Sequence, residues 1–258
     1  MMEWQKVFDE EHTCVIVPTY NNEKTIVDVL RRIQAYTRNI IVVNDGSTPE
    51  TMAVLTAVFD ASELPEIVDY TPNKGKGYAL MQGFRRALEL GYRYAVTIDS
   101  DGQHFPEDIP VLMDCFLQHK GSLIVGSRNL TADNMPSKNT FANKFSNFWF
   151  RLQTGIPLED TQSGYRLYPL EAINLRWPIT PRYEAELELL VFSAWRGVPV
   201  ISVPVRVYYP PEGERVSHFR PFWDFFRISV LNSVLTFGAL FYYLPVRILR
   251  KLKLRIKK

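Results

Sequence analysis

Tyr94-Ala95-Val96-Thr97-Ile98-Asp99-Ser100-Asp101-Gly102-Gln103-His104 passes from an uncharged apolar run straight into a polar turn. The first five residues read as a buried strand, and the short polar side chains around Gly102 read as the turn that ends it. The same alternation recurs upstream. Thr13–Pro18 and Ile40–Val43 read as buried strands, and Thr25–Tyr36 between them sets Ile26, Val29, Leu30 and Ile33 on one helical face. A weaker strand at Ile67–Tyr70 and a helix at Tyr78–Leu90 lead back to Tyr94–Ile98. Strand, helix, strand repeated in this way predicts an α/β fold with a mostly parallel sheet flanked by helices, whose ligands sit at the C-terminal strand ends. Polar turns stand at those ends: Pro18-Thr19-Tyr20-Asn21-Asn22-Glu23, Asn44-Asp45-Gly46-Ser47-Thr48 and Asp99 to His104. Downstream the pattern is less regular, with an aromatic-rich helix at Phe141–Gln153, a polar loop running into a strand at Glu159–Tyr168, a helix at Glu184–Trp195 and a β-rich stretch at Val198–Tyr208.

A chain of 258 residues, 46% hydrophobic and 22% charged, is long enough for one substantial α/β unit and too polar for a polytopic membrane protein. The net charge of +2 hides an asymmetry. Residues Phe225 to Lys258 hold eight Lys or Arg and no acid, leaving 22 basic against 28 acidic side chains, or −6, in the first 224 residues. Basic charge gathered beside an apolar stretch points to an anionic lipid surface and away from nucleic acid. Cys14 and Cys115 lie in apolar patterns with no pairing framework, and Met1 to Glu11 has no signal-peptide core, so the body is expected in the cytosol. Nothing in the pattern specifies an oligomeric state.

Asp99 and Asp101 flank a single residue after a strand, so both carboxylates can face one cation. Hard oxygen ligands suit Mg²⁺ or Mn²⁺, with Gln103 as a further ligand, and such an ion would neutralise a diphosphate leaving group. A turn with a capping Asp is the bland alternative. Asp45 sits where a carboxylate can accept from the N–H groups of a nucleotide base, or merely hold a turn. In Asn73-Lys74-Gly75-Lys76-Gly77 the glycines permit close backbone approach and the lysines suit phosphate, without P-loop spacing.

These motifs, in order with Asp160-Thr161-Gln162-Ser163-Gly164-Tyr165-Arg166, resemble family-2 glycosyltransferases, and most of all the dolichyl-phosphate mannose or glucose synthase branch, over about Thr13 to Val207. The resemblance implies a GT-A fold and inverting, metal-dependent transfer of a hexose from a UDP- or GDP-sugar to a membrane lipid. It implies that Pro18, Tyr20, Glu23 and Asp45 hold the nucleoside, with Lys74, Gly75 and Asp99 also on the nucleotide-sugar, and that Asp99, Asp101 and Gln103 hold metal and diphosphate. A hydroxyl acceptor needs a general base, for which Asp160 or its neighbour Glu159 is the candidate. A polyprenyl phosphate acceptor is already ionised, and Arg128 and Arg166 would position it. Gly213 to Arg220 stands where the branch has a Gly-Glu-Ser-Lys-like stretch, here with two extra residues before the Ser and His218 in place of Lys; Arg215, His218 and Arg220 are the candidate anion-binding lid. A non-catalytic membrane scaffold and a nucleotidyltransferase are the remaining alternatives.

Ile228–Val246 is uncharged over 19 residues, about 28 Å as a helix and barely a bilayer core. Ser229, Asn232, Ser233 and Thr236 share one face, and Phe219, Phe222, Trp223, Phe225 and Phe226 precede it as an interfacial aromatic belt. A single span would put the basic tail on the far side of the membrane, against the positive-inside tendency, so an in-plane helix is expected. The expected layout is a catalytic domain over 1–224 and a membrane-associating segment over 225–258, peripheral or monotopic on the cytoplasmic face.

Overall fold

The computed structural model describes residues 2–60, 63–128, 137–173, 180–209, 221–246 and 248. The elements in chain order are α1 (Met2–Glu10), β1 (Thr13–Thr19), α2 (Ile26–Gln34), β2 (Ile40–Asp45), α3 (Pro49–Val58), β3 (Glu66–Tyr70), α4 (Lys76–Glu89), β4 (Tyr94–Thr97), α5 (Ile109–Gln118), β5 (Leu123–Arg128), α6 (Ser137–Thr154), β6 (Arg166–Pro169), α7 (Glu184–Trp195), β7 (Val200–Val205) and α8 (Pro221–Gly238). Seven strands form one sheet in the order β3-β2-β1-β4-β6-β5-β7. β1 pairs in parallel with β2 and β4, β2 with β3, and β5 with β7; among the described strands only β6 runs antiparallel, between β4 and β5. The expected mostly parallel sheet is therefore present.

β1 and β2 are buried along their whole length, as central parallel strands covered on both faces must be. Alternate side chains feed two cores. Cys14, Ile16, Ile41 and Val43 meet Leu80 and Phe84 of α4 and Leu190 of α7 on one face. Val15, Val17, Val42 and Val96 meet Leu30 and Ile33 of α2 and Leu112 and Phe116 of α5 on the other. α2 buries Ile26, Val29, Leu30 and Ile33, the stripe read from the sequence. α4 approaches the start of α7 so closely at Gly77 that a Cβ there would collide with the Thr180 carbonyl oxygen and the Ala185 Cβ. That approach brings the neighbouring Lys76 to α7.

α8 begins at Pro221, inside the stretch assigned to the catalytic body, and continues through a π-helical turn at Ala239–Tyr243. It does not stand apart. Asn232, Leu235 and Ala239 are buried, and the Gln153 amide of α6 donates to the Asn232 carbonyl and Oδ1 at 3.1 Å and to Thr236 Oγ1 at 3.3 Å. Trp195 of α7 donates to the Gln153 carbonyl and stacks on Tyr243. Of the polar face expected on this helix, Asn232 and Thr236 meet the protein, whereas Ser233 is exposed and returns its hydroxyl to the Ser229 carbonyl. The opposite face is apolar and open, with Val234, Phe237 and Phe241 at 61%, 63% and 77% exposure. Phe226–Val246 is long and apolar enough to cross a membrane by length and composition.

Candidate active site

The C-terminal ends of β1, β2 and β4 are tied into one polar floor. Ser100, 1% exposed, donates from Oγ to the Pro18 carbonyl, receives the Asn22 amide at 2.8 Å, and offers its carbonyl to Thr25 Oγ1 at 2.6 Å. Asn21, at φ 54°, donates its N–H to Ser47 Oγ and accepts the Thr48 N–H. Tyr20 and Glu23 are half-buried in this turn, and Pro18 is buried. Asp45 accepts from the N–H groups of Lys74 and Gly75 and from the Asn73 amide, all at 2.8 Å. It therefore sets the course of the 73–75 loop in addition to any contact it makes with a ligand. Lys74 Nζ rests over the Tyr78 ring, 4.6 Å from its centroid.

Past β4 the floor becomes acidic. Lys76 Nζ lies 2.8 Å from Asp99 Oδ1, 2.9 Å from Oδ2 and 3.2 Å from Glu186 Oε1. Burial works against ionisation of Asp99, but the Lys76 charge and hydrogen bond outweigh it and hold the carboxyl below its usual value. Asp101 is the reverse case. Its Oδ1 accepts the Gln103 N–H at 2.9 Å, and burial first, then the Asp99 charge, push its carboxyl up to about 6. His104, behind them against Tyr165, is brought down to about 4 by burial. Among the described residues no three His, Cys, Asp or Glu side chains form a metal cluster. Two carboxylates, one short of positive charge, nonetheless suit a Mg²⁺- or Mn²⁺-type ion that draws its remaining oxygens from phosphate and water. Both aspartates stand at the expected turn, and the two oxygens of Asp99 are engaged by Lys76.

Asp160 and Arg166, expected at the acceptor, are both engaged inside the protein. Asp160 is fully buried and accepts from Arg128 Nε at 2.6 Å, Arg128 Nη2 at 2.9 Å, the Arg128 and Gln162 N–H groups and the Asn143 amide. Burial opposes its ionisation, yet the Arg128 hydrogen bond and charge hold its carboxyl below the usual range. With both oxygens committed to donors, Asp160 cannot collect a proton from an acceptor as a general base. Arg166 is buried as well and gives its guanidinium to the carbonyls of Ser163, Thr161 and Glu186 and to Tyr168 Oη. It locks the 161–166 loop to α7 and has no face for an acceptor phosphate. Arg128 is paired but not sealed: its side chain is 17% exposed and lines a cavity of about 290 Å³ with Phe145, Thr161, Tyr183, Glu186 and Ile228. Glu159 is exposed, 3.4 Å from Ser127 Oγ. Arg215, His218 and Arg220 lie outside the described residues.

Glu186 belongs to the site without having been singled out in the sequence, and Lys76, read there as suited to phosphate, is found as the partner of Asp99, with Gly164 beside it. Three acids, Glu184, Glu186 and Glu188, sit in the otherwise apolar α7, all less than 8% exposed, and that is the signal that marks it. A Cβ on Gly164 would come within 2.7 Å of Lys76 Nζ, 2.8 Å of Glu186 Oε1 and 3.0 Å of Asp99 Oδ2. These are ends of side chains that can shift, so Gly164→Ala is expected to keep the melting temperature within a few degrees while cutting turnover about tenfold, read by thermal scan and initial rate.

A family model described as Glycosyl transferase family 2 matches residues 14–173. The UDP-N-acetylglucosamine–dolichyl-phosphate N-acetylglucosaminyltransferase of Methanococcus voltae is 30% identical, over 76% of this chain and 85% of the relative. The polyprenol monophosphomannose synthase of Mycolicibacterium smegmatis is 30% identical, over 76% of this chain and 77% of the relative. Among solved structures, glucosyl-3-phosphoglycerate synthase from Mycobacterium tuberculosis with Mn²⁺, UDP and phosphoglyceric acid superposes with a TM-score of 0.64 at 20% identity, covering 92% of this chain and 81% of the other, a likeness of fold.

Proposed function

The chain belongs to glycosyltransferase family 2, and from that premise we propose that it transfers a hexose from a UDP- or GDP-sugar to a polyprenyl phosphate, with inversion, at the cytoplasmic face of a membrane. The observation that carries the proposal is the cavity of about 290 Å³, lined by Arg128 at the end of β5, by Glu186 of α7, which holds Lys76, and by Ile228 of α8. The apolar C-terminal helix and a residue joined through Lys76 to Asp99 thus line one space. The relatives named for dolichyl phosphate and polyprenol support the same acceptor class.

In this reading the 18–23 turn and the Asp45-shaped loop hold the nucleoside. Asp99, Asp101 and Gln103 hold Mg²⁺ or Mn²⁺, which supplies positive charge to the departing diphosphate when bound. An acceptor phosphate oxygen, already ionised, forms the new bond to the anomeric carbon from the face opposite the breaking C–O bond. No proton need be removed, which agrees with Asp160 being unable to take one. Arg128 orients the acceptor from the cavity wall while Asp160 fixes its guanidinium plane.

The in-plane placement of α8 rests on its two faces. Drawing it out to span a bilayer would break the hydrogen bonds that the Gln153 amide N–H makes to the Asn232 carbonyl and Oδ1 in a buried seam. Lying flat keeps that seam and sets Val234, Phe237 and Phe241 in the acyl boundary.

The test is a screen of UDP- and GDP-hexoses with Mn²⁺ over vesicles containing polyprenyl phosphate or the matching polyprenol, with mass spectrometry of the lipid. A hexosyl phosphate lipid from the phosphate vesicles is expected. Transfer to the polyprenol but not to its phosphate would overturn the acceptor assignment.

A further inference from the structure

The ammonium of Lys76 has three hydrogens and three carboxylate oxygens around it, two from Asp99 and one from Glu186. Its side chain is 17% exposed and those of Asp99 and Glu186 are 27% and 9%, so none of the three can lose its partner to bulk water without cost. Among the described residues Asp101, beside them, has no such cation: the acid without a counter-ion there and the acid that has one are one residue apart. Resting on the metal reading above, we infer that Lys76 is the resident counter-ion of Asp99, that a divalent cation must displace it, and that the protein therefore takes the cation together with a nucleoside diphosphate and only weakly alone.

A bare cation would free Asp99 from Lys76 but would leave the ammonium facing a like charge a few ångströms away in a poorly solvated pocket. A cation carrying a nucleoside diphosphate removes that conflict, because its anionic oxygens give Lys76 a new partner while Glu186 keeps hold of it. The exchange needs little motion. Gly75 and Gly77 hold the backbone on either side, Gly77 against α7, and the four-carbon stem of the lysine swings. Lys76 Nζ touches Asp99 and Glu186 at once, so leaving Asp99 need not break its contact with Glu186.

Full-length protein stripped with EDTA, titrated with Mn²⁺ and followed by the electron paramagnetic resonance of the free ion, tests this with and without UDP or GDP. Wild type is expected to bind Mn²⁺ at least about thirtyfold more tightly with the better nucleotide than without. Without nucleotide, Lys76→Gln is expected to bind Mn²⁺ about tenfold more tightly than wild type, and Glu186→Gln, which leaves Lys76 to Asp99 alone, several-fold more weakly. A lysine that merely braces the fold would make both variants weaker. Lys76→Gln binding free Mn²⁺ no more tightly than wild type overturns the inference, and should that variant fail to fold, Glu186→Gln binding as tightly as wild type does so instead. Wild type that binds no Mn²⁺ with either nucleotide removes the metal reading itself, a result distinct from both.

Discussion

Asp101→Asn is expected to lower turnover by about three orders of magnitude while leaving the metal-free protein as stable as wild type or more so. The loss follows from removing one of two anionic ligands at the diphosphate. The stability gain follows from linkage. Burial and the Asp99 charge raise the Asp101 carboxyl to about 6 in the folded protein, above the ordinary value of about 3.9 for an unfolded chain. Between those pH values the folded state binds the proton more tightly, so stability falls as pH rises through the interval and the deficit is complete above it. Asparagine removes the charge and keeps the Oδ1 that accepts the Gln103 N–H. Thermal scans in EDTA should show a variant advantage of about 1–2 kcal/mol at pH 8 that shrinks by pH 5. A variant less stable than wild type at pH 8 would make Asp101 a structural residue.

Asp160→Ala should have the largest effect on folding, a loss of about 3–5 kcal/mol, because it strands the largely buried Arg128 guanidinium without its carboxylate. The sign with pH is opposite to that of Asp101. The Asp160 carboxyl is held below its ordinary value, so its contribution is present above about pH 4 and fades as pH falls through the folded value. Urea denaturation at pH 7 measures the loss, and a cost under about 1 kcal/mol would mean that the pair is weakly coupled to the fold. Arg128→Met combined with Asp160→Leu should recover much of the stability without recovering activity. Asp160→Asn does not separate a phosphate from a hydroxyl acceptor, since disturbing Arg128 harms either.

The sheet's first half was legible because its signals are local. The runs at Thr13, Ile40 and Tyr94 and the helical stripe of Ile26 to Ile33 are each decided within a dozen residues, and all appear where periodicity sets them. α5 and β5, over 109–128, bury Leu112, Phe116 and Leu123 to Val125 yet drew no assignment, because short apolar runs carry little period of their own. The antiparallel β6 depends on Tyr94 meeting Pro169, a pairing across 75 residues that no local pattern encodes. The site divides the same way. Strand-end turns exposed Asp45, Asp99 and Asp101, whereas the partners that decide their chemistry, Lys76 with Glu186 and Arg128 with Asp160, are set by how α4, α7 and the 160–166 loop pack. Arg166 reads as a ligand-binding residue in the sequence because a buried arginine whose partners are backbone carbonyls leaves no sequence trace.

The central claim is that the turn after β4 grips a nucleoside diphosphate through a divalent ion. Calorimetric titration of wild type and Asp101→Asn with UDP and with GDP, in Mn²⁺ and again in EDTA, tests it most directly. Wild type should lose at least about thirtyfold in affinity on moving to EDTA, and the variant should bind equally weakly in both. Equal nucleotide affinity of wild type in Mn²⁺ and in EDTA would contradict the account.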